Sequence, residues 1–299
     1  MNYTNITVAG SGVLGSQIAY QTAFKGFNVT VYDINDAAID ASKDRIAKLQ
    51  ENYKKDLNAS EEEVKAAFER LSFNTDLAAA VADADLVIEA IPEVVAIKTE
   101  FYKNLGKVAP EKTVFATNSS TLLPSQFAEA TGRSEKFLAL HFANTIWLNN
   151  TAEIMKHAGT DMKVFDDVVE FAKAIGMVAL PLHKEQPGYI LNSLLVPLLD
   201  AAELLLVNEV SDAETIDKTW MIATKAPMGP FAILDVVGIN TAYNIVEAKA
   251  AATGREDYKK LAAMLKTEYI DQGKLGKATG EGFYKYPNPN YLKPDFLNN

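Results

Sequence analysis

The sequence predicts two successive domains of different class: an α/β domain on a mostly parallel sheet over residues 1–186, then a smaller all-α domain over 187–299. Three observations carry this expectation. Short apolar strand patterns alternate with helical ones from Ile6 to Leu182. Beyond Lys184-Glu185-Gln186-Pro187-Gly188, which reads as a hinge, no further strand pattern appears. A chain of 299 residues with 48% apolar content is also long enough for two ordinary cores.

The first element is the strand Ile6-Thr7-Val8-Ala9, running into Gly10-Ser11-Gly12-Val13-Leu14-Gly15. A helical pattern (Ile18, Ala19, Thr22, Ala23), Gly26, the strand Val29–Tyr32 and Asp33 follow. Strand, G-x-G-x-x-G turn, helix, strand and acid in this order form the Rossmann-type dinucleotide-binding unit. Gly10 permits the tight turn, Gly12 lets the backbone approach a pyrophosphate, and Gly15 lets helix and strand pack closely. The helix starts at Val13 and Leu14, whose free N–H groups face the phosphates. Asp33 can accept hydrogen bonds from a ribose diol and would repel a 2′-phosphate. Ile34 and Asn35 offer no cation to relieve that repulsion, so the expected cofactor is NAD.

Residues 37–70 read as a charged helical pair broken near Asn58-Ala59-Ser60, where Ser60 with Glu63 forms a capping-box pattern. Strands are expected near Leu71–Phe73, at Asp85–Ala90, Thr113–Asn118, Phe137–Phe142 and from Glu153, then at Met177–Leu182. Helices are expected at Val94–Gly106 and Met162–Ile175. In the second domain helical patterns cover Tyr189–Asn208, Ala213–Thr224, Pro230–Val237, Thr241–Thr253 and Asp257–Gln272. Pro197 should bend the first of these. Asn288–Asn299 reads as a loosely held tail.

Composition excludes several classes. There is no cysteine, hence no disulfide, thiolate metal site or cysteine nucleophile, which fits a cytoplasmic location. The first strand begins too early to leave room for a signal peptide. The most apolar long stretch, Tyr189–Val207, contains Asn192, Ser193, Asp200 and Glu203, and reads as a buried helix and not as a membrane span. The net charge of −10 argues against nucleic acid as a partner. No metal is called for.

Oxidising an alcohol on this fold requires a proton-transfer group. Of His141, His157 and His183, only His141 ends an apolar strand at the carboxyl edge, where open α/β sheets bind ligands. Glu153 lies twelve residues on, so a hairpin could set its carboxylate beside the imidazole; the alternative is a solvated strand-end charge. Thr117-Asn118-Ser119-Ser120-Thr121 ends another strand at the same edge, and either serves the site or, through Ser120 or Thr121, caps a helix with Pro124 in its first turn. Asn192 is either a functional amide or a buried structural one.

At these residues the chain resembles the L-3-hydroxyacyl-CoA dehydrogenase family, which includes the short-chain 3-hydroxybutyryl-CoA dehydrogenases. The resemblance covers nearly the whole chain. It runs through the glycine turn, Asp85–Glu93, the segment 117–121, His141-Phe142, Pro187–Asn192, Pro227–Phe231 and Thr279–Tyr284. It implies an NAD-dependent dehydrogenase of 3-hydroxyacyl-CoA in fatty acid metabolism, a homodimer, with its site in the cleft between domains. His141 would be the general base for the 3-hydroxyl, and Glu153 would orient it. Ser120 would hydrogen-bond the reacting oxygen, and Asn192 would contact substrate. Asn118 falls among the cofactor-side residues, and Glu93 and Lys98 match the acid and lysine near the nicotinamide ribose. By spacing alone, Glu93 and Lys98 could equally be a surface ion pair.

Three departures lie near the expected acyl chain. His141-Phe142-Ala143-Asn144-Thr145 replaces the usual H-F-F-N-P, Ile146–Ala152 replaces a loop rich in proline, valine and lysine, and Ser193 stands where arginine is common. Ala143 would open space for Trp147 to fill. The landing site for CoA phosphates would be Lys43, Arg45, Lys48, Lys54 and Lys55, although a solvated helix face explains the same residues. Two other functions stay open: dehydrogenation of a free or carnitine-like hydroxy acid, and a non-enzymatic NAD-binding sensor or scaffold.

Overall fold

Eight strands form one sheet in the computed structural model, which describes residues 3–298. They are β1 (Asn5–Ala9), β2 (Asn28–Tyr32), β3 (Leu71–Asn74), β4 (Leu86–Glu89), β5 (Val114–Thr117), β6 (Phe137–Phe142), β7 (Thr151–Met155) and β8 (Val178–Leu182). Their order is β3-β2-β1-β4-β5-β6-β7-β8, and every neighbouring pair is parallel except β6 with β7. Strands β4, β5 and β6 are buried at every position because helices cover both faces, which explains their unbroken apolar runs. The connection reverses direction between β1 and β4, so a crevice opens beyond Ala9 and Glu89 at the carboxyl edge.

Helices of this unit are α1 (Val13–Phe24), α2 (Asp36–Leu57), α3 (Glu61–Glu69), a short α4 (Leu77–Val81), α5 (Val95–Val108) and α6 (Met162–Ala174). Helix α2 is capped by the Asn35 side chain and ends at Asn58 in the left-handed region. The Ser60–Glu63 capping box is present at the start of α3. Only α4 was not expected; five residues are too few for a periodic signal. A single 3₁₀ turn, Pro124–Gln126, stands where a helix was expected to begin.

The first unit extends to Leu191 and the second begins at Asn192. Residues 187–191 belong with the first because Tyr189, Ile190 and Leu191 all hydrogen-bond into it. The second unit holds α7 (Leu191–Val207), α8 (Ala213–Thr224), α9 (Pro230–Val237), α10 (Ile239–Thr253) and α11 (Glu256–Met264), which continues as short turns to Gln272. Helix α7 runs on through Pro197. Two buried acids organise this core. Asp217 accepts the Phe231 and Ala232 N–H groups that open α9, and Asp235 accepts those of Phe283 and Tyr284. The expected loose tail is corrected: Tyr291 and Phe296 are buried in the helical core and Asn290 bonds Glu214, because two aromatic rings find apolar cover there. Among the described residues, no single helix is long and apolar enough to cross a membrane.

Candidate active site

The glycine turn joins β1 to α1. Gly10 has φ 95°, and a Cβ there would stand 2.5 Å from the Ala90 carbonyl oxygen. A Cβ on Gly15 would lie 1.9 Å from the Gly10 oxygen, so helix and turn meet only through glycine. At Gly12 a Cβ would meet nothing within 4 Å. That open face adjoins Val13 and Leu14, whose N–H groups precede the first helical bond, Ser16 N–H to the Gly12 carbonyl. Asp33, just past β2, accepts the Ser11 N–H at 2.8 Å and the Ser11 hydroxyl at 2.6 Å through one oxygen, and the Ile34 N–H through the other. The carboxylate is thus aimed at the turn and keeps lone pairs for a ribose diol. A cleared face, free helix N–H groups and a fixed acid suit NAD.

His141 and Glu153 face one another directly as cross-strand partners of β6 and β7. Both are buried, and Glu153 Oε2 lies 3.1 Å from His141 Nδ1. The other Glu153 oxygen accepts the N–H groups of Ile190 and Leu191 at 2.9 and 3.0 Å. Burial alone would raise this carboxyl, but the His141 bond and these two N–H groups outweigh it and hold the group below the ordinary carboxylate range. An ionised Glu153 keeps the ring proton on Nδ1 and leaves Nε2 with a lone pair. Nε2 lies 3.2 Å from the Ser120 hydroxyl. His157 and His183 stand elsewhere: His157 is bonded to the Ser134 carbonyl, and His183 is exposed.

The segment carrying Ser120 is tied from two sides. Asn118 is buried, and its side-chain oxygen accepts the Phe142 N–H at 3.0 Å, clamping β5 to the residue after His141. Glu93 accepts the Ser119 hydroxyl and both the N–H and hydroxyl of Thr121. Burial opposes ionisation of Glu93, but the Ser119 hydroxyl, the Lys98 ammonium and Thr121 together lower its carboxyl. Neither Ser120 nor Thr121 caps the turn at Pro124; the Gln126 side chain accepts the Leu123 N–H instead. Lys98 is no surface group. It is 1% exposed, with Nζ 2.5 Å from Glu89 and 3.3 Å from Glu93. Glu89 also accepts from Tyr102 and Thr117.

Sequence reasoning assigned no individual role to Glu89, Ser119 or Tyr189, and read Arg45 only as a candidate CoA contact. Glu89 left a readable signal, a lone charge inside the apolar strand Leu86–Glu89, whereas the others act through contacts between distant segments. Arg45 donates to the Ser11 carbonyl at 2.7 Å and so braces the glycine turn. Lys43 pairs with Asp40, and Lys54 with Glu51 and Glu61. Trp147 is taken up by α2, donating to Asp56 at 2.9 Å with its ring 5.6 Å from Tyr53. Asn192 is the second residue of α7 and partly exposed, so it is not a fully buried structural amide.

Residues 5–186 match the model of the 3-hydroxyacyl-CoA dehydrogenase NAD binding domain, and residues 188–286 match that of the 3-hydroxyacyl-CoA dehydrogenase C-terminal domain. A probable 3-hydroxybutyryl-CoA dehydrogenase of Bacillus subtilis is 33% identical over 96% of this chain and 98% of its own. The mitochondrial hydroxyacyl-coenzyme A dehydrogenase of Homo sapiens is 35% identical over 94% of this chain and 91% of its own. Among solved structures, a diketoreductase described as acting on dicarbonyl compounds superposes with a TM-score of 0.91 at 57% identity, covering 96% of this chain and all of that one. The (S)-3-hydroxybutyryl-CoA dehydrogenase of Ralstonia eutropha gives 0.82 at 26% identity, covering 96% and 100%.

Proposed function

Because the chain belongs to the 3-hydroxyacyl-CoA dehydrogenase family and is an NAD-dependent oxidoreductase, we propose that it interconverts (S)-3-hydroxyacyl-CoA of short acyl chain and 3-oxoacyl-CoA. The observation that carries this reading is the imidazole of His141 held between Glu153 on Nδ1 and Ser120 on Nε2. In oxidation, Nε2 takes the proton of the C3 hydroxyl, and Ser120 hydrogen-bonds the same oxygen as it becomes a carbonyl. When bound, NAD supplies the hydride acceptor for C3 and, reduced, the donor. Glu153 offsets the charge of the imidazolium that forms, and reduction runs the same groups backwards. Gly10, Gly12, Val13, Leu14, Gly15 and Asp33 are assigned to the dinucleotide. Asn118, Glu93 and Lys98 are assigned to its nicotinamide side, and Asn192 to a substrate oxygen. The test is NADH oxidation with acetoacetyl-CoA. Turnover is expected; no turnover, with activity on another hydroxy or oxo compound, overturns the thioester.

A second reading is a substrate without CoA. The 57% identity to a protein that acts on dicarbonyl compounds supports it. So does the charge of α2, where Lys43, Arg45 and Lys54 are already engaged. Both readings share a carbonyl β to a second carbonyl, and a simple 1,3-diketone ester is the matching probe. Competitive inhibition by micromolar desulfo-CoA favours CoA, and none at millimolar levels favours the second reading. The non-enzymatic role is set aside, since family membership and the engaged His141–Glu153 pair both support an enzyme. A homodimer and a cytoplasmic location complete the proposal, the former testable by light scattering.

A further inference from the structure

We propose that Tyr189 is a positioning residue for the acid–base group, its ring aligning His141 and its hydroxyl fixing the segment that carries Ser120. This rests on the reading of His141 as the proton-transfer group. Tyr189 is wholly buried, and its ring stacks on the imidazole with centroids 4.5 Å apart and planes 17° apart. Its hydroxyl donates to the Ser119 carbonyl at 2.8 Å, one residue before Ser120. The backbone contributes as well. Gly188 has φ 78° and Tyr189 φ 55°, a left-handed conformation that a bulky non-glycine residue rarely adopts. That turn presents the next two N–H groups, of Ile190 and Leu191, to Glu153. Three consecutive residues thus touch each part of the proposed machinery: carboxylate, imidazole and serine segment.

Packing alone does not require this arrangement. An aliphatic side chain could fill the volume without a phenol hydroxyl that must find a partner when buried. The stacked face restricts rotation of the imidazole, and it lies against a ring that becomes cationic as the proton moves. Ser119 keeps its hydroxyl bond to Glu93 and its N–H bond to Thr117 without Tyr189. Losing the phenol hydroxyl therefore loosens Ser120 and leaves the loop folded.

Tyr189→Phe, Tyr189→Leu and, as control, His141→Gln are compared with wild type. Each is assayed for NADH-dependent reduction of whichever of acetoacetyl-CoA and a 1,3-diketone ester the wild type turns over. NADH binding is followed by fluorescence, and melting temperature is recorded. Tyr189→Phe should lose kcat by about 10-fold and Tyr189→Leu by about 100-fold or more, with KM and NADH binding within about twofold of wild type. The primary isotope effect with deuterated NADH should grow in that order, because only the chemical step is slowed. The ring retained in Phe thereby rescues part of what Leu loses. Tyr189→Leu with kcat within twofold of wild type overturns the proposal. So does a loss of kcat that tracks melting temperature or NADH binding with no change in isotope effect. Activity in His141→Gln would instead overturn the acid–base reading on which this one rests.

Discussion

Replacing Glu203 by glutamine should stabilise the helical unit near neutral pH and do little in mild acid. Glu203 lies on α7, 4% exposed, with one carboxylate oxygen lacking any hydrogen-bond partner. Burial, reinforced by the neighbouring Asp200 and only partly relieved by Lys249, pushes its carboxyl from 4.5 up to about 8. The group is therefore neutral in the fold where the unfolded chain would ionise it. With a raised carboxyl the cost of folding appears as pH climbs past the unfolded value and levels off above the folded one. At about pH 7.5 the proton held in the fold costs about 4 kcal/mol, and at about pH 5 about 1 kcal/mol. A glutamine carries no such cost but brings an amide whose imperfect pairing costs about 1–2 kcal/mol at either pH. The net gain is then about 2–3 kcal/mol at neutral pH and about zero in mild acid.

Urea denaturation followed by tryptophan fluorescence measures this directly. In a Trp147→Phe background, Trp220 on α8 is the sole reporter and sits in the same unit as Glu203. Glu203→Gln should shift stability between the two pH values by about 3 kcal/mol relative to its parent. An equal effect at both pH values would refute the argument, because it would mean that Glu203 folds already ionised and partnered.

Other substitutions probe the site. His141→Gln should lower kcat by about 10³-fold or more with NADH binding unchanged, as stopped-flow turnover and fluorescence titration would report. Glu153→Gln should lower kcat by about 10²-fold, since the amide no longer offsets an imidazolium. The depressed Glu153 carboxyl also stabilises the fold above the ordinary carboxylate range and ceases to as pH falls below it. The urea-denaturation midpoint of Glu153→Gln should accordingly fall less than that of wild type as pH drops through the acid range. Asp33→Ala should weaken NADH by about 10-fold and narrow its preference over NADPH, read from the two KM values. Glu89→Gln should destabilise the first unit by about 3 kcal/mol in chemical denaturation, because Lys98 is buried and Glu89 is its nearest counter-charge.

Elements whose cause is local were legible in the sequence. The glycine turn was legible because Gly10 and Gly15 answer steric demands made within the turn, φ 95° at Gly10 and the Gly10 oxygen against Gly15, while Gly12 faces open space. The Ser60–Glu63 box and the termini of α8 and α9 were equally local. The direct pairing of His141 with Glu153 was within reach because a hairpin of twelve residues leaves few registers.

Tertiary structure alone decided which partners those residues keep. Tyr189 reaches Ser119 across 70 positions, and Arg45 reaches Ser11 across 34. By spacing alone Lys98 could be half of a surface ion pair with Glu93, and it is buried in fact, because Glu89 at the end of the preceding strand turns its charge inward. The terminal segment reads as a loose tail and is packed, because Tyr291 and Phe296 meet a helical core assembled from remote segments. The sequence by itself determined the fold class, the glycine turn and the facing of His141 by Glu153, since periodicity, backbone sterics and strand register are short-range. Orientation, burial and charge pairing arise from contacts between segments far apart in the chain, so only the folded chain could settle them.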